Sequence, residues 1–256
     1  SIDLPVGQDG TFAFGDADVP PRATWTWIGV VAGRVGRATL DGGDTGRLMV
    51  NAVRWAGGRA IPRVAVVGQA DLVAWLRAQG LPVTETAFDR LGDSDVVVFA
   101  PWGQSAAELA AATAFVRGGG GLVVAVTGWG WAQLNPTRDL QTDFVGNRLL
   151  ADAGIQWPND WLGETDPAGG YRVDGPPSEL TGGDAALDAA VDHEHGTRLL
   201  TPAGLAEVSR TLVANAVCAP PDDSLFLPRL RAHVPEVVVP SPADPVTPEE
   251  VLDRVA

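Results

Sequence analysis

An α/β protein built on a doubly wound parallel sheet is the fold class that the sequence predicts, and three observations carry it. Short apolar runs recur along the chain: RVAVVG at 63–68, DVVVFAPW at 95–102 and GLVVAVTG at 121–128. They are apolar throughout rather than alternating, as strands covered on both faces are. Helix-patterned segments lie between them and end in glycine, at Gly80 and at 118–120.

Taken in order, TFAF and TWTWIGVVAG are rich in aromatic and branched residues and read as short strands, with GRVGRATL as a turn into another. Trp25 and Trp27 alternate with threonine, which puts them on one face of an edge strand. DTGRLMVNAVRWAGG has a helix start at Asp44 or Thr45 and a stop at Gly57 and Gly58. Leu48, Met49, Ala52, Val53 and Trp55 fall near helical spacing and form its expected apolar face. RVAVVG is then a core strand and ADLVAWLRAQG a helix with Trp75 inward. LPVTETAF is a strand leading into DRLGDS, and DVVVFAPW another strand. SAAELAAATAFVRGGG is an amphipathic helix, and GLVVAVTG the third long apolar strand. With right-handed crossovers, residues 60–155 form a flavodoxin-like sheet.

Beyond it, GIQWPNDWLGETDPAGGYRVDGPP is rich in turns and holds Trp157 and Trp161. Residues 184–218 read as helical, with Thr201 as a cap and Pro202 in the first turn. The tail, VPEVVVPSPADPVTPEEVLDRVA, is proline-punctuated and reads as a linker toward a further module. The expected division is an N-terminal β segment with the first helix at 1–58 and an α/β core at 59–170. A helical extension follows at 171–232, and a proline-rich tail at 233–256.

Composition narrows the function. A net charge of −14 opposes nucleic-acid binding, which needs a clustered basic face. No apolar stretch approaches the roughly 20 residues of a membrane helix. SIDLPVGQDG lacks the basic region and apolar core of a signal peptide. One cysteine, Cys218, excludes an intrachain disulfide and a cysteine-rich metal site, and reads as a packed thiol. VAGRVGR lacks both G-x-G-x-x-G and a P-loop lysine, so nucleotide binding is not expected. Asp41, Asp44, Asp139 and Asp143 lack calcium-loop spacing. No cofactor is expected.

Chemistry in an open α/β sheet sits beyond the carboxyl ends of the strands. The loops expected there are Gly68-Gln69, Pro101-Trp102-Gly103-Gln104 and Thr127-Gly128-Trp129-Gly130-Trp131. The candidate ligand-binding residues are Trp102, Gln104, Thr127, Trp129, Trp131, Gln133 and Asn135. Indole faces suit the C–H faces of sugar rings, with the amides available for hydroxyls, so a glycan or glycoprotein is a candidate partner. The alternative is that the rings fill the mouth of a lost active site. Gly128 and Gly130 read as the turn itself. Gly146 and Asn147 read as the tight start of a helix packed beneath it. His193 and His195, in DHEHGT, are the nearest approach to a metal pair; the plainer reading is a polar helix end. His233 reads as a surface or packed residue.

NAVRWAGG, the stretch VRGGGGLVVAVTGWGWAQLNPTRDLQTDFVGNRLLADAGI and the earlier VVAGRVGRAT together resemble the glutamine-amidotransferase-like domain of the TRP-channel-associated factors. The resemblance covers residues 10–160 well and 179–231 more loosely. It extends to bacterial relatives in which the domain precedes an enhancin-like, mucin-active metallopeptidase. It implies a class I glutamine amidotransferase-like core in a secreted, periplasmic or cell-surface protein. The broader superfamily carries a Cys nucleophile in a Gly-x-Cys-x-Gly turn, with downstream His and Glu. Here TGWGW puts Trp129 or a glycine in that place, and the only cysteine lies about 90 residues further on. Since a nucleophile must touch its base, the resemblance points to a catalytically silent binding or scaffold module. A rival reading is a hydrolase, using a metal on His193 and His195 or acyl transfer without cysteine. A His-Glu-x-x-His peptidase motif is absent from this sequence, so that module would lie elsewhere. A third reading is a purely structural or protein-interaction domain.

Overall fold

The structure is a computed structural model of the 256-residue chain. It describes residues 40–150, 178–219 and 226–233, positions 155, 157, 159, 172, 223 and 224, and the backbone of 27–30; the side chains of 217 and 218 lie outside the description. The readings of TFAF, GRVGRATL, Trp25, Trp161, the packing of Cys218 and the 233–256 tail fall outside the described residues. The described residues fall into two compact units, one within Phe12–Asp174 and the other within Gly175–Ala256.

The first unit holds a five-stranded sheet of β1 (Trp27–Val30), β2 (Val64–Val67), β3 (Val83–Glu85), β4 (Val96–Phe99) and β5 (Gly121–Ala125). Every pairing is parallel and the order is β1-β5-β4-β2-β3. The apolar runs form the middle of the sheet, and residues 96–99 and 121–125 are buried without exception. The WIGV stretch packs on this sheet. It adds an edge strand beside β5, in register from Trp27 opposite Leu122 to Val30 opposite Ala125.

Helices cover both faces, giving the doubly wound α/β arrangement. The step from β2 to β3 runs one way across the sheet and the step from β4 to β5 the other, so right-handed crossovers send their helices to opposite sides. α1 (Thr45–Ala56) packs on β5 and β4, and α2 (Ala70–Ala78) on β2 and β3. On the opposite face, α3 (Ala106–Arg117) sets Leu109, Ala112 and Val116 against Val97, Phe99, Leu122 and Val124. Phe88, in a short 3-10 turn after β3, meets Phe99 edge-on at 4.9 Å.

Local chemistry accounts for the α3 boundaries. The Ser105 Oγ accepts from the Glu108 amide at 3.3 Å, and the Ser105 amide donates to Glu108 Oε2 at 2.8 Å, a reciprocal capping box. That backbone donation holds the Glu108 carboxyl below its usual range. Two of the residues assigned to α1's apolar face sit differently. Its buried side is centred on Met49, Val50, Ala52, Val53 and Ala56, leaving Leu48 41% exposed and Trp55 half-buried. A face spans only part of the helical wheel, and Leu48 and Trp55 fall at its margin.

A latch closes the amino edge of the sheet. The Asp95 carboxylate accepts from the Arg63 amide at 2.7 Å, from Arg63 Nη2 at 2.9 Å and from Arg59 Nη1 at 3.4 Å. The Arg63 guanidinium, foremost, holds the Asp95 carboxyl below its usual range, and the Arg63 pKa is raised in turn. A lowered carboxyl pKa contributes stability that is present above the unfolded value, near 4, and is lost as pH falls through the folded value. Asp95→Asn is therefore expected to lower the Tm by about 2–4 °C at pH 7. In a paired pH series of melts, the gap from the parent should narrow as pH falls below the unfolded value and close as pH passes through the lowered folded value.

The second unit is helical among its described residues. A 3-10 turn at Glu179–Thr181 precedes α7 (Gly183–Glu194), α8 (Pro202–Cys218) and α9 (Phe226–His233). Thr201 Oγ1 accepts from the Gly204 amide at 3.1 Å, and Pro202 occupies the first helical position. Leu180, Leu187, Val208, Leu212, Leu227 and Leu230 meet in its core. Arg229 bridges Asp184 and Asp188, tying α9 to α7. Among the described residues no helix is long and apolar enough to cross a membrane.

Candidate functional site

The carboxyl edge of the sheet is where the sequence places a site, and the structure builds it differently there. GWGW is not an open turn: it begins α4 (Gly128–Leu134), with Thr127 at the N-cap position and the Trp131 amide donating to Thr127 O at 3.2 Å. Gly128 and Gly130 are absent from the positive-φ residues, so neither is required for a left-handed turn. Gly130 instead answers to close approach, since a Cβ there would lie 2.7 Å from Thr127 Oγ1.

Trp131 belongs to the core. It is 3% exposed, with the Phe144 ring 5.4 Å away and the Arg138 guanidinium 5.1 Å from its centroid. Phe144 in turn meets Trp157 edge-on at 5.8 Å. A ring so enclosed offers no face to a ligand, which corrects its place among the candidate contact residues. Asn135 is spent on closing the helix: its Nδ2 donates to Trp131 O at 2.9 Å. Gln104 folds back on its own loop, donating to Ala100 O at 3.1 Å and accepting from the Gly103 amide at 3.3 Å.

Trp102 is 41% exposed, Gln133 is exposed, and Thr127 and Trp129 are half-buried. Leu134, 72% exposed at the end of α4, joins the surface without having been singled out in the sequence. Helical spacing alone would put Leu134, three residues after Trp131, on the buried side, so its exposure could not be read from the sequence.

α5 (Leu140–Asp143) and α6 (Val145–Leu150) close the unit beneath α4. Asn147 is the strut: its Nδ2 donates to Leu140 O at 2.9 Å and Trp157 O at 3.3 Å, and its Oδ1 accepts from the Trp157 amide at 2.7 Å. The side chain is buried, so Asn147→Ala strands a buried amide and two carbonyls. The expected cost is about 2–3 kcal/mol, read as a lowered urea midpoint. Gly146 leaves room for the same cluster, since a Cβ would meet Phe144 at 2.5 Å and Trp157 at 3.1 Å.

Two clefts among the described residues lie away from the Trp loops. One, of about 340 Å³, opens at the amino edge beside Gly57, Gly92, Asp95 and Phe115. The other, of about 450 Å³, lies between α1 and α2 beside Arg47, Asn51, Arg54 and Trp75. None of the candidate contact residues lines either cleft.

The paired histidines sit at the end of α7. The Leu200 amide donates to His193 Nδ1 at 3.2 Å, which commits that nitrogen to the following turn, and His195 follows as the C-cap. Among the described residues no group of three or more His, Cys, Asp or Glu could hold a metal ion, so the metal alternative at His193 and His195 gains no third ligand.

The TCAF_N family model, described as TRPM8, N-terminal domain, matches residues 32–172. A TRPM8 channel-associated factor homolog of Xenopus laevis is 27% identical over 219 residues, 84% of this chain and 21% of that protein. TRPM8 channel-associated factor 1 of Homo sapiens is 34% identical over 113 residues, 44% of this chain and 12% of that protein. TRPM8 channel-associated factor 2 of Bos taurus is 32% identical over 117 residues, with 45% and 12% covered. No solved structure matches the chain. The chain thus spans about a fifth or less of the length of these relatives. They are vertebrate channel-associated factors, which corrects the expectation of a bacterial, metallopeptidase-associated, glycan-binding protein.

Proposed function

The chain belongs to the TRPM8 channel-associated factor N-terminal domain family, and on that premise we propose that it is a non-catalytic binding or scaffold module that docks a channel of the TRPM8 type on behalf of a longer protein. The names of its relatives attach those proteins to that channel. The sheet order supports a flavodoxin-like fold. From β2 onward the order β3-β2-β4-β5 is that of a flavodoxin-like sheet, with β1 standing where its fifth strand would be. The observation that carries the silent reading is the turn after β5: where an amidotransferase would present a cysteine there, this chain has the half-buried Trp129 between two glycines, and an indole cannot act as the nucleophile.

The test is binding of the purified chain to TRPM8 reconstituted in nanodiscs, read by biolayer interferometry against empty nanodiscs. Saturable binding to the channel discs alone is the expected result. A flat response at about 100 μM chain, a concentration at which contacts weaker than about 5.5 kcal/mol stay largely unoccupied, overturns the channel reading. Glutamine hydrolysis by the same preparation would overturn the silent one.

A further inference from the structure

The sheet's β3 edge carries a feature that its neighbours do not explain. In the parallel register the Val64 amide donates to Pro82 O and the Thr86 amide to Val66 O. β3 therefore turns the backbone groups of Pro82, Thr84 and Thr86 toward β2, and those of Val83 and Glu85 away from it. Among the described residues β3 ends the sheet, and the side chains of Thr84 and Glu85 are exposed.

Two such edges are self-complementary. Placed antiparallel about a twofold axis at Thr84, each copy would set Val83 opposite the other's Glu85 and exchange both pairs of amide–carbonyl bonds, with no like charges opposed. One of the needed acceptors is already taken. Arg77, in the last turn of α2, reaches the edge and donates from both Nε and Nη2 to Val83 O, at 3.0 and 2.8 Å. Exposed edges are liabilities that proteins blunt with charge and short strands. Here the charge acts by occupying a backbone acceptor rather than only by repulsion.

We propose that Arg77 is an edge guard: its guanidinium, held on Val83 O, keeps two copies of this chain from pairing through their β3 strands. The occupant excluded is a second copy of the same chain, and the guard works by denying it the Val83 carbonyl. This does not rest on the channel reading.

The test is sedimentation equilibrium on the full chain and its variants, with circular dichroism to confirm the fold. Arg77→Ala is expected to tighten self-association by about tenfold or more, roughly 1.4 kcal/mol. Adding Glu85→Pro should restore the parent's behaviour, because proline removes the outward amide at that edge while leaving the bonds to β2 intact. Arg77→Lys, whose single ammonium nitrogen lacks the planar two-nitrogen fork held on the carbonyl, should shift association the same way by a smaller factor, and it carries the test should the alanine variant unfold. A folded Arg77→Ala or Arg77→Lys chain that associates no more than the parent overturns the proposal. So does an association that Glu85→Pro leaves in place, since another surface would then be responsible.

Discussion

Gly121→Ala is expected to be the most damaging single-methyl substitution in the α/β unit, costing more than about 4 kcal/mol and approaching loss of the fold. A Cβ on Gly121 would overlap the carbonyl oxygen and carbon of Ala56, far inside the 3.0 Å below which real Cβ contacts are essentially not found. Both partners are backbone, so no rotamer change relieves the clash. Neither side is free to withdraw. Gly121 opens β5 and donates its amide to Asp95 O at 2.9 Å, in register with Val96. On the other side α1 ends at Ala56, and Gly57 after it is pressed against Pro62. Overpacking of an adaptable core costs about 1–3 kcal/mol, and this contact lacks the adaptability. Gly92→Ala is the control, because a Cβ there meets nothing within 4 Å and the change should stay within about 0.5 kcal/mol. Urea midpoints decide it: if Gly121→Ala unfolds where Gly92→Ala does, α1 does not press on β5 as described.

The second large effect separates core from site at the Trp turn. Trp131→Ala is expected to cost about 3–5 kcal/mol, because it removes a buried ring from the Phe144 and Trp157 cluster and leaves a cavity. Trp129→Ala, at a half-buried position two residues earlier, should cost about 1 kcal/mol or less. Thermal and urea unfolding of the two single variants checks this. A double variant could not, since unfolding through Trp131 would masquerade as lost binding through Trp129. Equal stability of Trp131→Ala and the parent would return the indole to the list of exposed candidates.

These contrasts show how much was legible before any tertiary contact was known. The strands at 64–67, 96–99 and 121–125 follow from apolar runs too continuous for one buried face, and α3 from its amphipathic pattern and the glycines that end it. The α7 and α8 helices follow likewise, with Thr201 and Pro202 marking the start of α8. Such features depend on residues within about one helical turn or strand of one another, so the sequence alone decides them. The α4 segment is the opposite case. Two glycines in GWGW argue locally against a helix, yet residues 128–134 form one, with Trp131 packed on Phe144 and the Phe144–Trp157 pair beyond it. The same holds for the pairing of WIGV with β5, for the exposure of Leu48, and for the His193 ring bound to the Leu200 amide. The sequence by itself determined which segments alternate between strand and helix; tertiary structure decided which side chains those segments bury. Periodicity is a property of neighbours along the chain, whereas burial is set by partners that only folding brings together.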